Sequence, residues 1–165
     1  MRFFVVLALV ALAVSAQTNS GDKIASVAQS AVGKYLYCYG CGNDYGPTYG
    51  VKMEVEPYCD DRNLTGFDDS GLSKYAVYQG TGKSIVHSSQ GQYDNCPNLI
   101  PVDKMEAGDL VFYGSSPKNI YHVAIYVGDN LMDEAPGHNF DCTTMPLMQT
   151  DLRSNNLIDN ACRMW

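Results

Sequence analysis

Positive charge is scarce in this chain. Eleven Lys and Arg stand against 18 Asp and Glu, a formal charge of −7, so nothing pulls it electrostatically toward nucleic acid or an anionic membrane surface. Histidine occurs only three times and no two are spaced as a metal pair. No second C-x-x-C accompanies Cys38-Tyr39-Gly40-Cys41, which argues against a zinc site or a redox dithiol there. We expect no metal and no cofactor. Beyond the first residues no apolar run is long enough to cross a bilayer, and no repeat, low-complexity tract or interdomain linker breaks the chain.

What is present begins with a leader. Arg2 supplies a positive start, Phe3 to Val14 an apolar core, and Val14-Ser15-Ala16 a small-residue cleavage site. That pattern predicts a signal peptide over 1–16, a secreted, extracellular protein, and one domain over 17–165. All six cysteines (Cys38, Cys41, Cys59, Cys96, Cys142 and Cys162) fall after the leader. An even number in a secreted chain predicts up to three disulfides, with the pairing left open. Asn63-Leu64-Thr65 is an N-glycosylation sequon, usable only where a eukaryotic secretory pathway makes the protein.

Apolar spacing predicts a first helix over 22–32, with Ile24, Val27, Ala28 and Ala31 on one stripe, Asp22 as cap and Gly33 as stop. Residues 35–66 hold Tyr, Gly, Pro and three cysteines with no period, and read as a long disulfide-pinned loop. A second helix is expected over 70–79, closed by a turn at Gly80-Thr81-Gly82, and a short one over 88–94. The pattern then turns to strands: 109–113, 121–127 (the strongest), a hairpin turn at Gly128-Asp129-Asn130, 131–135, and weaker candidates at 145–152 and 162–165. Helices first and an antiparallel meander afterwards make an α+β fold.

Gly66-Phe67-Asp68-Asp69-Ser70-Gly71-Leu72 is the stretch to which the rest is referred. It puts Asp69 at the start of the second helix, where free backbone N–H groups and the helix dipole favour negative charge. His122 opens the strongest strand and Glu134 lies on the returning one. A group at a helix start, a strand histidine and a polar residue that orients the imidazole follow the logic of papain-like nucleophilic catalysis. His87 and His138 read as solvated loop residues.

The motifs Tyr37-Cys-Tyr-Gly40, Asp68-Asp-Ser-Gly71, Gly108-Asp-Leu-Val-Phe112 and His122-Val-Ala-Ile-Tyr-Val-Gly128 resemble, in order, those of the NlpC-type family of papain-like peptidases. That family cuts bacterial peptidoglycan stem peptides between γ-D-glutamate and the diamino acid. The resemblance runs from about residue 22 to 135. It implies a papain-like NlpC-type fold with N-terminal helices packed on a central antiparallel sheet, here stapled by disulfides. It also implies a peptidoglycan stem peptide or muropeptide as partner, and we expect a monomer. Carried over by motif, His122 is the general base, Glu134 its orienting partner, and Tyr37 a neighbour of the oxyanion site. Asp68 and Ser70 match positions that in some members hold the free amino group of the stem peptide, and Gln92 falls where the family often has a glutamine.

The departures are as informative. Asp69 stands where the family has its cysteine nucleophile, Tyr39 replaces a tryptophan, and the loop from Gly40 to Phe67 is long. A carboxylate attacking an amide would form a high-energy anhydride, so the sequence predicts an impaired or inactive hydrolase, alternatively a non-catalytic binder of peptidoglycan fragments. Hydrolysis by another route would need Ser70, Cys38 or Cys41 as nucleophile, or a metal held by Asp69, Glu134 and His122.

Overall fold

Helix α1 (Ser20–Ala31) begins at Asn19, whose Oδ1 accepts the Asp22 N–H at 2.8 Å while Asp22 Oδ2 accepts the Asn19 N–H at 3.3 Å. This reciprocal cap satisfies donors that the first turn cannot bond internally. Asp22 is thus the returning half of the cap, and the helix starts before the 22–32 segment that spacing predicts. The structure, a computed structural model, describes residues 19–165; the expected leader and its cleavage site lie outside the described residues.

Helix α2 (Asp69–Thr81) is capped by Asp68, not Asp69, and closes on Gly82 in the left-handed conformation, φ 75°. It continues through Gly80, where spacing predicts a turn. The glycine there serves packing: a Cβ would lie 2.6 Å from Ile24 Cγ1 and 2.9 Å from the Ile24 nitrogen, so its absence lets α1 and α2 meet backbone to side chain. Helix α3 (Ser89–Asp94) is capped by Ser88.

The region expected to be one long loop contains a small sheet. Strands β1 (Leu36–Tyr37) and β2 (Thr48–Tyr49) flank β3 (Thr65–Phe67), β1 in parallel and β2 antiparallel. The main sheet is built from β4 (Leu99–Pro101), β5 (Leu110–Ser116), β6 (Asn119–Gly128), β7 (Leu131–Glu134), β8 (Met148–Asp151) and β9 (Asn160–Cys162). Its order is β4-β9-β5-β6-β7-β8 and every pairing is antiparallel. The last strand meets the 162–165 candidate only at Cys162, and it inserts between β4 and β5. Asp129 and Asn130 turn the β6–β7 hairpin with φ of 51° and 61°, the pair of positive values that a tight two-residue hairpin turn requires.

Alternation along β5 and β6 sorts the core into two layers. Leu110, Phe112, Val123 and Ile125 face Ile24, Ala28, Leu72, Ala76 and Val77 of the helices. Val111, Tyr113 and Ala124 pack on the other face with Met132 and Ala161. Each large apolar side chain so buried contributes about 1.5–3 kcal/mol. The fold is α+β, helices on an antiparallel sheet. Three disulfides staple it, Cys38–Cys41, Cys59–Cys142 and Cys96–Cys162, so no cysteine is left as a free thiol.

Candidate active site

The packing of α2 against β6 brings the first turn of the helix to the start of the strand. Asp69 Oδ2 accepts the backbone N–H of Val123 at 3.0 Å and lies 3.3 Å from Nδ1 of His122. On the other side of the ring, His122 Nε2 is 2.8 Å from Glu134 Oε2. The β6–β7 hairpin sets this second contact, because its tight turn fixes the register that brings β7 alongside β6. Glu134 is almost fully buried and also accepts from both terminal nitrogens of Arg153, at 2.6 and 2.8 Å, and from Thr150 Oγ1 at 2.9 Å. Arg153 lies over the Tyr113 ring, 4.9 Å from its centroid. The adjacent Asp133 points away, takes one bond from Gln149 at 3.0 Å and keeps its other oxygen unpartnered.

The result is a row of alternating charge: Asp69, His122, Glu134, Arg153. Burial alone would lower the His122 pKa, but the hydrogen bonds to Asp69 and Glu134 outweigh it and push it up to about 9. Glu134 moves the other way. Burial opposes the shift, yet Arg153 and His122 hold it down at about 2. At neutral pH the imidazole is therefore charged, with both nitrogens donating. Tyr37 stays a neutral phenol, its pKa raised by burial first and then by Asp69, Asp68 and Asp61.

A raised histidine pKa contributes stability that is complete below the unfolded value and lost as pH climbs through the folded one. From 6.5 to about 9 this amounts to about 3 kcal/mol. We expect urea unfolding to show that loss between roughly pH 6.5 and 10, and Asp69→Asn to shrink it. A flat profile in the unaltered protein would mean that His122 is not charged.

Asp68 sits beside this row and is heavily used. Oδ1 accepts from Gly71 N at 2.6 Å and Ser70 Oγ at 3.0 Å, and Oδ2 accepts from Gly40 N at 3.0 Å. His87 Nε2 reaches both oxygens, at 2.8 and 2.9 Å, and the hydrogen bond to Asp68 raises its pKa. His87 is an exposed loop residue, as expected, but a partner nineteen positions away holds its ring. The reading of His138 as solvated is corrected: its side chain is buried, pairs with Asp61 at 2.9 Å and packs edge-on against Tyr37. Gln92 lies outside the cleft. It is buried, takes the Ser73 hydroxyl on Oε1 at 2.7 Å and donates to the carbonyls of Ser70 and Val86 at 2.9 Å each. Its amide braces the start of α2 against the α3 loop.

Two cavities meet at Tyr37, Asp69 and Tyr121. One, of about 440 Å³, runs past His122 and Glu134 to Arg153, Asn155 and Asn156. The other, of about 480 Å³, runs past Asp68 and Ser70 to Tyr39, Val51 and His87. Together they form one groove with Asp69 at its middle. Gly71 makes this arrangement possible, because a Cβ there would fall 2.0 Å from the Cys41 carbonyl oxygen, where the Cys38–Cys41 loop closes over the helix start. Of the residues expected at the site, Tyr37, Asp68, Asp69, Ser70, His122 and Glu134 line the groove. His87 and Arg153 were not foreseen, for their partners lie far off in sequence.

A model of the NlpC/P60 family matches residues 46–154. Over 100 residues, 61% of this chain, the sequence is 39% identical to peptidoglycan endopeptidase RipA of Mycolicibacterium smegmatis, of which that stretch is only 18%. The chain thus spans a minor part of that relative. Among solved structures, RipD of Mycobacterium tuberculosis, described as a non-catalytic NlpC/P60 domain protein adapted to peptidoglycan binding, superposes with a TM-score of 0.72 at 26% identity. That match covers 90% of this chain and 99% of RipD. RipA mutated at a glutamate superposes with a TM-score of 0.72 at 29% identity, over 88% of this chain and 62% of that one. Other forms of RipA are mutated at a cysteine and at a histidine, the histidine twelve positions before the glutamate, which is the separation of His122 and Glu134.

Proposed function

Because this chain belongs to the NlpC/P60 family, we propose that its groove binds peptidoglycan stem peptides without hydrolysing them. The reading rests on one observation: a carboxylate, Asp69, stands at the helix start against the His122 imidazole, where the motif resemblance puts the family's nucleophile. A thiolate there would be paired with the same imidazolium, so Asp69 keeps the charge and loses the reactive atom. A general base must present a free nitrogen, and His122 has both committed to carboxylates at neutral pH. RipD, described as non-catalytic and peptidoglycan-binding, is a precedent in the same fold.

In this reading Asp68 and Ser70 face the amino-terminal end of the peptide, and Tyr37, neutral and shared by both arms of the groove, lies across its middle. The protein acts outside the cell as a monomer, one domain over 17–165 freed of its leader. Hydrolysis by another route finds little support. Ser70 is buried and its hydroxyl donates to Asp68, the cysteines are all paired, and the imidazole stands between Asp69 and Glu134, so the three do not converge on a common point.

Calorimetric titration with the tripeptide L-Ala-γ-D-Glu-meso-diaminopimelate, followed by mass spectrometry of the mixture, tests this. Saturable binding with the tripeptide recovered whole is expected. Release of L-Ala-γ-D-Glu would overturn the non-catalytic half of the reading, and absence of binding would overturn the rest.

A further inference from the structure

The two arms of the groove differ in charge. Among the described residues, the arm past Asp68 is lined by two carboxylates, Asp68 and Asp69, and by no lysine or arginine; its imidazole, His87, is already bonded to Asp68. The arm past His122 holds four charged groups, which cancel formally but do not reach the cavity equally. Glu134 has 2% of its side chain exposed, His122 14% and Asp69 18%, against 46% for Arg153. The field in that arm is therefore dominated by a guanidinium.

We propose that Arg153 is a recognition residue for a carboxylate carried by the ligand residue beyond Asp69, so that the groove selects a short peptide with negative charge at that end. This rests on the reading of the groove as a stem-peptide site and adds its polarity. Glu134 takes one N–H from each terminal nitrogen, which leaves three of the five guanidinium N–H donors for a second acceptor. The group is also preorganised. Glu134 holds one edge, the Tyr113 ring supports one face, and little side-chain freedom remains to be lost on binding.

The segment that carries Arg153 is fixed as well. Leu157 pairs with Tyr113, Gly114 N donates to the Asn156 carbonyl at 2.9 Å, and Ile158 N donates to the Phe112 carbonyl at 2.9 Å. Leu152 and Leu157 pack under it in the smaller core. Asn155 and Asn156, exposed on the same wall, offer further amide donors beside Arg153. An arginine flanked by amides on a rigid wall suits a planar carboxylate.

The test crosses ligand with protein. The full tripeptide and its analogue with both diaminopimelate carboxylates converted to amides are titrated into the unaltered protein and into Arg153→Gln. We expect the amide to bind the unaltered protein at least about tenfold more weakly, as for a lost charge-assisted hydrogen bond. We expect Arg153→Gln to bind both peptides alike. If Arg153 only braces Glu134, the substitution will weaken both peptides by the same factor, and that result overturns the proposal. Equal affinity of the two peptides for the unaltered protein overturns it too, while leaving the stem-peptide reading standing. Failure of both peptides to bind every form of the protein overturns both readings.

Discussion

Replacing Asp69 by cysteine is expected to turn a binding cleft into a cutting one. Removing the nucleophile from a catalytic triad typically costs a factor on the order of 10⁶ in turnover, and restoring it into an intact surround should return much of that. The surround is present: a helix start that favours an anion, an imidazole at 3.3 Å, and a buried carboxylate holding the far side of the ring at 2.8 Å. The measurement is release of L-Ala-γ-D-Glu from the tripeptide, read by mass spectrometry under conditions that preserve the disulfides. Asp69→Ala should stay silent, since it supplies no attacking atom. Silence from Asp69→Cys as well would mean that the groove has diverged in more than one residue.

The second large effect concerns stability. Glu134→Ala is expected to cost about 3 kcal/mol, because it leaves a buried imidazolium and a guanidinium facing a void. Breaking a buried pair by removing one partner typically costs 3–5 kcal/mol, and the partial exposure of Arg153 places this case at the lower end. Thermal unfolding should fall by roughly 10 °C. Asp60→Ala is the control. It removes an equally short ion pair, to Arg62 at 2.7 Å, but one standing in water, and its unfolding should be unchanged within error. Equal losses in both variants would contradict the assignment of Glu134 as the anchor of the charged row.

The sequence was legible wherever a period or a turn rule operates over several residues. The stripe of α1, the β-branched run of β6 and the Gly128-Asp129-Asn130 turn all follow from local chemistry, and the structure has each of them. The small sheet within 35–66 was not legible, since β1 and β2 have two residues each and two residues carry no period. Their pairing is with β3, distant in sequence: Leu36 and Tyr37 lie opposite Gly66 and Phe67, and Thr48 and Tyr49 opposite Gly66 and Thr65. Likewise β4 and β9 exist because they find one another across the fold. At the site, Asp69, His122 and Glu134 were legible through ordered motifs. Arg153, His87 and His138 were not, because each is a single polar residue in an irregular stretch whose partner lies nineteen or more positions away. Gln92 shows the reverse case: its motif position drew attention to it, yet its amide faces inward, bonded to two carbonyls and a hydroxyl rather than to the groove.

The pairing of all six cysteines gives Asp69 a further meaning. An enzyme that works through a thiolate is silenced by peroxide, by alkylating agents and by small disulfides, since the low pKa that makes sulfur reactive also exposes it to oxidation. A carboxylate has no such chemistry. This groove carries its negative charge in a form that oxidants and thiol reagents leave alone, and ligand binding should survive hydrogen peroxide or iodoacetamide at concentrations that destroy a cysteine peptidase of the same fold.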